Sequence, residues 1–198
     1  MSIVQQEKKY YSVEEYFELD NNSEIRYEFY DGEVFAMAGT TKNHNKIADK
    51  FKDVIKSHFR PQGCEVYNES VKLEAIKNFY YPYPDVMLTC DKRDAAEEYI
   101  VAYPSLIAEV LSKTTEGYDR DFKLKRYKKI PSLQYYLLIS QYEVSIEMYS
   151  RINESDIWTY QFFEEINETI TLEKLDFSFP VSAIYENITF VPPSTEKI

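Results

Sequence analysis

The segment Ser105-Leu-Ile-Ala-Glu-Val-Leu-Ser112 decides how the chain folds. Its middle reads as a short strand. Side chains on a strand alternate between faces, so Leu106, Ala108 and Val110 share one face, and Ile107, Glu109 and Leu111 share the other. Both faces are apolar, as in a sheet covered on both sides. Glu109 is the exception. An isolated carboxylate in an apolar medium is neutralised, paired or bound to a metal, so Glu109 must have a partner.

Working outward, the segments alternate between strand and helix patterns. Upstream, Tyr83-Pro-Asp-Val-Met-Leu-Thr-Cys90 reads as a second buried strand, entered through proline, and Glu65 to Ile76 as an alternating one. Before them, Asn43 to Arg60 is an amphipathic helix with Ile47, Phe51, Val54, Ile55 and Phe59 at helical spacing, stopped by Pro61 and Gly63. Ile25 to Ala38 carries two alternating runs around Asp31-Gly32, a hairpin signal. Ser12 opens a short helix with a capping-box pattern. Downstream, Tyr118 to Lys129 is a helix stopped by Pro131, and Tyr135 to Ser140 a buried strand. Val144 to Ser150 and Ile157 to Phe163 pair as a hairpin. Ile170 to Leu172 adds a short strand and Ala183 to Ile188 a helical turn. This order predicts an α/β chain with one mixed sheet and helices on both faces.

Composition sets limits. The chain has 198 residues, 44% of them hydrophobic, with only 4 glycines and 8 prolines. That predicts a single domain, with its core over about 10–190, a short N-terminal segment and a disordered tail from Pro192. Cys64 and Cys90 match no metal spacing, and two thiols in a chain of this size are expected to be reduced, a single disulfide being possible but unforced. The N-terminus shows no apolar h-region, and no apolar run is long enough to span a membrane, so a cytoplasmic location is expected.

The net charge of −11 opposes loose nucleic-acid binding, but its distribution is uneven. Residues 42–60 hold six Lys/Arg against two Asp, and residues 119–129 hold six against two. Each run is either a solvated helix face or a basic helix flanking an acidic site. On the second reading Lys42, His44, Lys46, Arg120 and Lys125 are the candidate nucleic-acid contacts. His44 either touches phosphate or caps its helix, the cap being favoured, and His58 is structural.

Asp85, after Pro84, either starts a strand through a turn or is a second carboxylate beside Glu109. If their strands are neighbours, two hard oxygens converge, as Mg²⁺ or Mn²⁺ requires. Otherwise Glu109 is held in a plain ion pair. At about 100° per residue, Lys123, Tyr127 and Ile130 share one helix face, Arg120 borders it, and Lys125 and Lys129 lie opposite. Lys123 therefore points inward. It either snorkels over the core or stands beside the carboxylates, where it orients water or offsets transition-state charge.

The pieces R-Y-E-F-Y-D-G-E-V-F-A-M-A-G, N-H-N-K-I-A, Y-P-D-V-M-L-T-C, Y-P-S-L-I-A-E-V-L-S-K-T-T-E, Y-D-R-D-F-K-L-K-R-Y and I-P-S-L-Q-Y-Y-L-L-I-S, in this order over roughly residues 10–185, resemble the Uma-type family of putative restriction endonucleases, within the PD-(D/E)XK nuclease superfamily. The resemblance implies a restriction-endonuclease-like fold with a central mixed sheet. It implies Mg²⁺ (or Mn²⁺) ligated by Asp85 and Glu109, with the Val110 carbonyl as an extra ligand. The superfamily lysine usually stands two residues after the acid, where this chain has Leu111. Its role falls to Lys123 on the following helix. Glu28 resembles a further acidic residue near the metal. The implied activity is hydrolysis of DNA phosphodiester bonds, and a homodimer fits cutting of two strands. The rival is a non-catalytic module on the same fold that binds nucleic acid or protein.

Overall fold

The computed structural model describes residues 9–153 and 155–191. The chain begins with α1 (Val13–Asn21), the hairpin β1 (Tyr27–Tyr30) and β2 (Glu33–Ala36), and the long helix α2 (Lys42–Phe59). Then come the strands β3 (Glu65–Asn68), β4 (Lys72–Leu73), β5 (Tyr80–Tyr81), β6 (Val86–Thr89), β7 (Ile100–Val101) and β8 (Leu106–Leu111). A π-helical segment (Tyr118–Lys123) continues as α3 (Leu124–Tyr127). The chain closes with β9 (Tyr135–Ser140), β10 (Ile146–Arg151), β11 (Trp158–Phe163), β12 (Thr169–Leu172), β13 (Phe177–Pro180) and α4 (Ser182–Tyr185).

The central sheet has six strands in the order β11-β10-β9-β8-β6-β3. It is mixed, because β8 runs parallel to β9 and antiparallel to β6. The helical connection between β8 and β9 makes the parallel pair possible, since parallel neighbours need a crossover. All six residues of β8 are buried, as the doubly apolar pattern requires. On one face Leu106, Ala108 and Val110 join Ile47, Phe51, Ile55 and Phe59 of α2, with β12, β13 and α4 completing that core. On the other face Ile107 and Leu111 pack with Tyr127, Ile130 and Tyr136. Glu109 therefore faces the α3 side.

The expected capping box of α1 is present, with Ser12 and Glu15 exchanging bonds. Thr41, not His44, caps α2: its side chain accepts the His44 N–H at 3.1 Å. His58 stacks on Phe59 and Phe177, a packing role.

Four expectations need correction. The 25–38 hairpin does not join the central sheet; β1 pairs with β5 in a separate three-stranded sheet. Tyr30 reaches from that sheet to Phe122 and Arg126, so the small sheet braces the helical connection. The strand expected over residues 65–76 breaks after Asn68, where Glu69 takes a φ of 31°. The helix expected from Tyr118 opens with a π turn, the Leu124 N–H bonding the Asp119 carbonyl five residues back. Finally, Cys64 and Cys90 form a disulfide rather than two thiols. The cause is register: Glu65 pairs with Thr89 across β3 and β6, and the cysteines flank that pair, with Cα atoms 4.2 Å apart. Among the described residues, no helix is long and apolar enough to cross a membrane.

The disulfide closes a loop with a sequence separation of 26. By loop-closure entropy, its loss costs roughly 3 to 4 kcal/mol. Urea unfolding of the Cys64→Ser/Cys90→Ser variant is expected to show that deficit. Thiol titration of the untreated native protein is expected to find neither cysteine reactive.

Candidate active site

The site forms where β6 begins. Pro84 and Asp85 precede Val86, which pairs with Ala108. The pairing ends at Val86, and Asp85 stands one residue beyond it, close enough for its charge to bear on Glu109. The two buried strands of the sequence are thus neighbours, as the convergence of the carboxylates requires. Asp85 Oδ2 accepts the Val110 N–H at 2.6 Å and approaches His44 Nε2 at 3.1 Å.

The Val110 N–H points to the β6 side, towards Asp85, while the Pro84 carbonyl turns away from β8 to accept the Glu69 N–H at 3.2 Å.

Glu109 Oε1 takes two donors, Lys123 Nζ at 2.9 Å and the Tyr127 hydroxyl at 3.0 Å. Lys123 and Tyr127 are four residues apart on one helix face, which is why both reach the same oxygen. Burial pushes Glu109 up, and the Asp85 and Asp119 charges add to this against the pull of Lys123. Burial opposes the Lys123 charge, but Glu109, Asp119 and Glu28 outweigh it and hold the ammonium protonated. Tyr127 is raised well above the usual phenol range by burial, so it remains a donor.

Asp119 was not among the residues singled out from the sequence, where an acid four residues before a lysine looks like a solvated helix pair. It is 2% exposed, and its Oδ1 lies 3.2 Å from Lys123 Nζ with no aligned hydrogen bond. The Tyr136 hydroxyl donates to its backbone carbonyl at 3.1 Å, helping satisfy the π turn. Such turns are frequent at functional sites. Glu28 stands on β1 with Oε1 accepting the Tyr83 N–H at 3.0 Å, which ties the small sheet to the approach to Asp85.

Of the expected nucleic-acid contacts, Lys42 and Lys46 are exposed on the first turns of α2. His44 is 8% exposed and faces Asp85, so it neither caps the helix nor presents itself to a phosphate backbone. Burial lowers its basicity, but the contact with Asp85 and the charges of Asp85, Glu69 and Asp119 outweigh that and raise it. Arg120 is engaged by Glu116 at 2.7 Å and Glu147 at 2.8 Å, and Lys125 is paired with Asp121. Half of the second basic run, Arg120, Lys123 and Lys125, is therefore paired with carboxylates.

Comparison with known proteins places the chain in a family. The Uma2 family model, described as "Putative restriction endonuclease", matches residues 13–182. The chain belongs to this family. It is 35% identical over 181 residues to the uncharacterized protein slr1290 of Synechocystis, covering 90% of this chain and 93% of the relative. It is 30% identical over 148 residues to the uncharacterized Synechocystis protein sll1609, covering 74% and 84%. Its fold matches the crystal structure of "a putative nuclease belonging to DUF820" from Anabaena variabilis, with a TM-score of 0.72 at 17% identity, over 88% of this chain and 97% of that one.

Removing one partner of a buried ion pair costs about 3–5 kcal/mol. Lys123→Met is expected to lose that much stability in urea at neutral pH. Folding raises the Glu109 pKa, so its contribution is fully present below the unfolded value and is lost as the pH rises through the folded one. The Lys123→Met deficit should therefore shrink towards acid pH, where Glu109 takes up a proton, and grow towards alkaline pH.

Proposed function

We propose that the protein is a metal-dependent endonuclease that hydrolyses phosphodiester bonds of DNA, with Asp85 and Glu109 holding Mg²⁺ or Mn²⁺. The observation that carries this reading is a charge imbalance. Glu109 and Asp119 share the buried ammonium of Lys123, on which the charge of Glu28 also bears, and Asp85 adds a fourth carboxylate beside Glu109 with His44 against it at 3.1 Å. A divalent cation between Asp85 and Glu109 would correct it. The donors suit such an ion, because carboxylate and carbonyl oxygens are hard ligands. Among the described residues, no hydrogen bond falls on Asp85 Oδ1 or Glu109 Oε2, while the other oxygen of each carboxylate is anchored. The Val110 carbonyl, next along β8 after Glu109, is the third ligand of this reading. Family membership and the shared fold support the nuclease reading.

An ion held by Asp85 and Glu109 would supply polarisation of the scissile phosphate and a more acidic water. Lys123 stays cationic, orients that water and offsets charge developing on the phosphorus oxygens. Tyr127 and Asp119 hold Lys123 and Glu109 in place. Glu28 would supply a further acid to the site. Lys42 and Lys46 contact the DNA backbone, which positions the duplex without reading its sequence. Arg120 and Lys125 contribute less, since each must first release its carboxylates. A homodimer would bring two such sites to the two strands, and a cytoplasmic location belongs to the same reading.

Supercoiled plasmid incubated with Mn²⁺ or Mg²⁺ should be cut by the wild type and protected by EDTA. Asp85→Asn and Lys123→Met should each lower the rate by roughly 100-fold or more. Equal cutting by all three proteins would put the activity elsewhere. DNA retention without cutting, across metals and substrates, would favour the binding module.

A separate measurement addresses the DNA contacts. Each neutralised phosphate adds about 0.9 to the slope of log affinity against log salt. The Lys42→Ala/Lys46→Ala variant should therefore show a slope shallower by about 2, with no change in sequence preference.

A further inference from the structure

Beside the Asp85–Glu109 pair lies a second cluster of donors. His44, Glu69 and Asp85 each offer one ligand atom, and all three atoms lie within 4.8 Å of one another. Each comes from a different element. His44 sits in the first turns of α2, Glu69 in the break after β3 and Asp85 at the entrance to β6. The imidazole bridges the two acids, with Nε2 3.1 Å from Asp85 Oδ2 and Nδ1 3.9 Å from Glu69 Oε1. Nδ1 is buried and has no hydrogen-bond partner, on a residue only 8% exposed. Buried polar atoms are nearly always satisfied, and each exception calls for an explanation. Asp85 and Glu69 are like charges, and no lysine or arginine side chain forms an ion pair with either among the described residues. The Arg26 guanidinium nearby bonds the Glu69 carbonyl instead.

The geometry points to a second cation position, ligated by His44, Glu69 and Asp85, that takes a divalent transition-metal ion such as Mn²⁺ in preference to Mg²⁺. It builds on the metal-dependent reading above, because Asp85 is shared between the two positions. The preference follows from the donors. An imidazole nitrogen suits transition ions, whereas Mg²⁺ is served by oxygen and retains its waters. The spacing fits as well. Ligands about 2.1 Å from an octahedral ion lie about 3 to 4.2 Å apart, so small side-chain shifts close the cluster around it. His44 then acts as a metal ligand rather than a phosphate contact, and Glu69 joins the site although nothing in its alternating run marks it.

The test is direct spectroscopy of Mn²⁺ on the full chain. Electron spin echo modulation of the Mn²⁺-loaded wild type should show ¹⁴N coupling from a coordinated imidazole. Competition should require at least about tenfold more Mg²⁺ than Mn²⁺ to displace the ion. His44→Gln should abolish the nitrogen coupling and weaken Mn²⁺ binding about tenfold, with Mg²⁺ affinity changing less than threefold. Glu69→Gln should weaken Mn²⁺ similarly but keep the coupling, so the inference stays testable if His44→Gln does not fold. Bound Mn²⁺ without nitrogen coupling would overturn it, as would unaltered Mn²⁺ affinity in both variants or no binding by the folded wild type. Plasmid cleavage without nitrogen coupling would refute this site and leave the nuclease reading standing. Nitrogen-coupled Mn²⁺ on a protein that cuts no substrate would do the reverse.

Discussion

A carboxylate in the middle of a fully buried strand governs this structure. Glu109 can remain on β8 only if other groups repay its lost hydration, and an ion pair alone seldom does so in a dry interior. Here Lys123 and Tyr127 converge on one oxygen. That convergence dictates the placement of the helical connection between β8 and β9, its π turn and the tyrosine-rich packing around it. Tyr80, Tyr127 and Tyr136 fill this face with large apolar rings while keeping hydroxyls available for polar neighbours. The small β2-β1-β5 sheet completes the enclosure from outside through Tyr30.

Asp85 is placed differently. It precedes β6 rather than lying within it, so it is open to partners from both sides of the sheet. The Val110 N–H reaches it along the sheet, and His44 reaches it from α2, a helix packed on the opposite face from Glu109. The end of a strand is thus where groups from both layers meet. Pro84 marks where the chain has left the β8 ladder, its carbonyl accepting the Glu69 N–H on the β3 side instead.

Much of this was legible along the chain. The expense of Glu109 could be read from its five apolar neighbours on β8. Lys123 could be separated from Lys125 by helix phase alone, and the structure puts one on Glu109 and the other at the surface with Asp121. Other parts were hidden because their signals are ambiguous. Asp119 resembles a solvated partner of Lys123. Glu69 lies within a run that alternates like a continuous strand, and nothing in that alternation marks the left-handed residue that breaks it. His44 follows a good capping residue and looked like the cap itself. The cysteines carry no spacing signature, because their pairing depends on which strands are neighbours.

Local sequence determined what is set by periodicity and transfer cost: the strand and helix segments, the buried faces, the inward lysine and the need of Glu109 for a partner. Such properties depend on residues within a turn or two of one another. Tertiary structure alone decided which strands lie side by side and in what register. That choice put Asp85 against the Val110 N–H beside Glu109 and Cys64 beside Cys90, and it brought His44 and Glu69 to the same carboxylate. The physical reason is that pairing between distant segments is selected by the packing of both faces of the sheet at once, a condition that no short stretch of the chain contains.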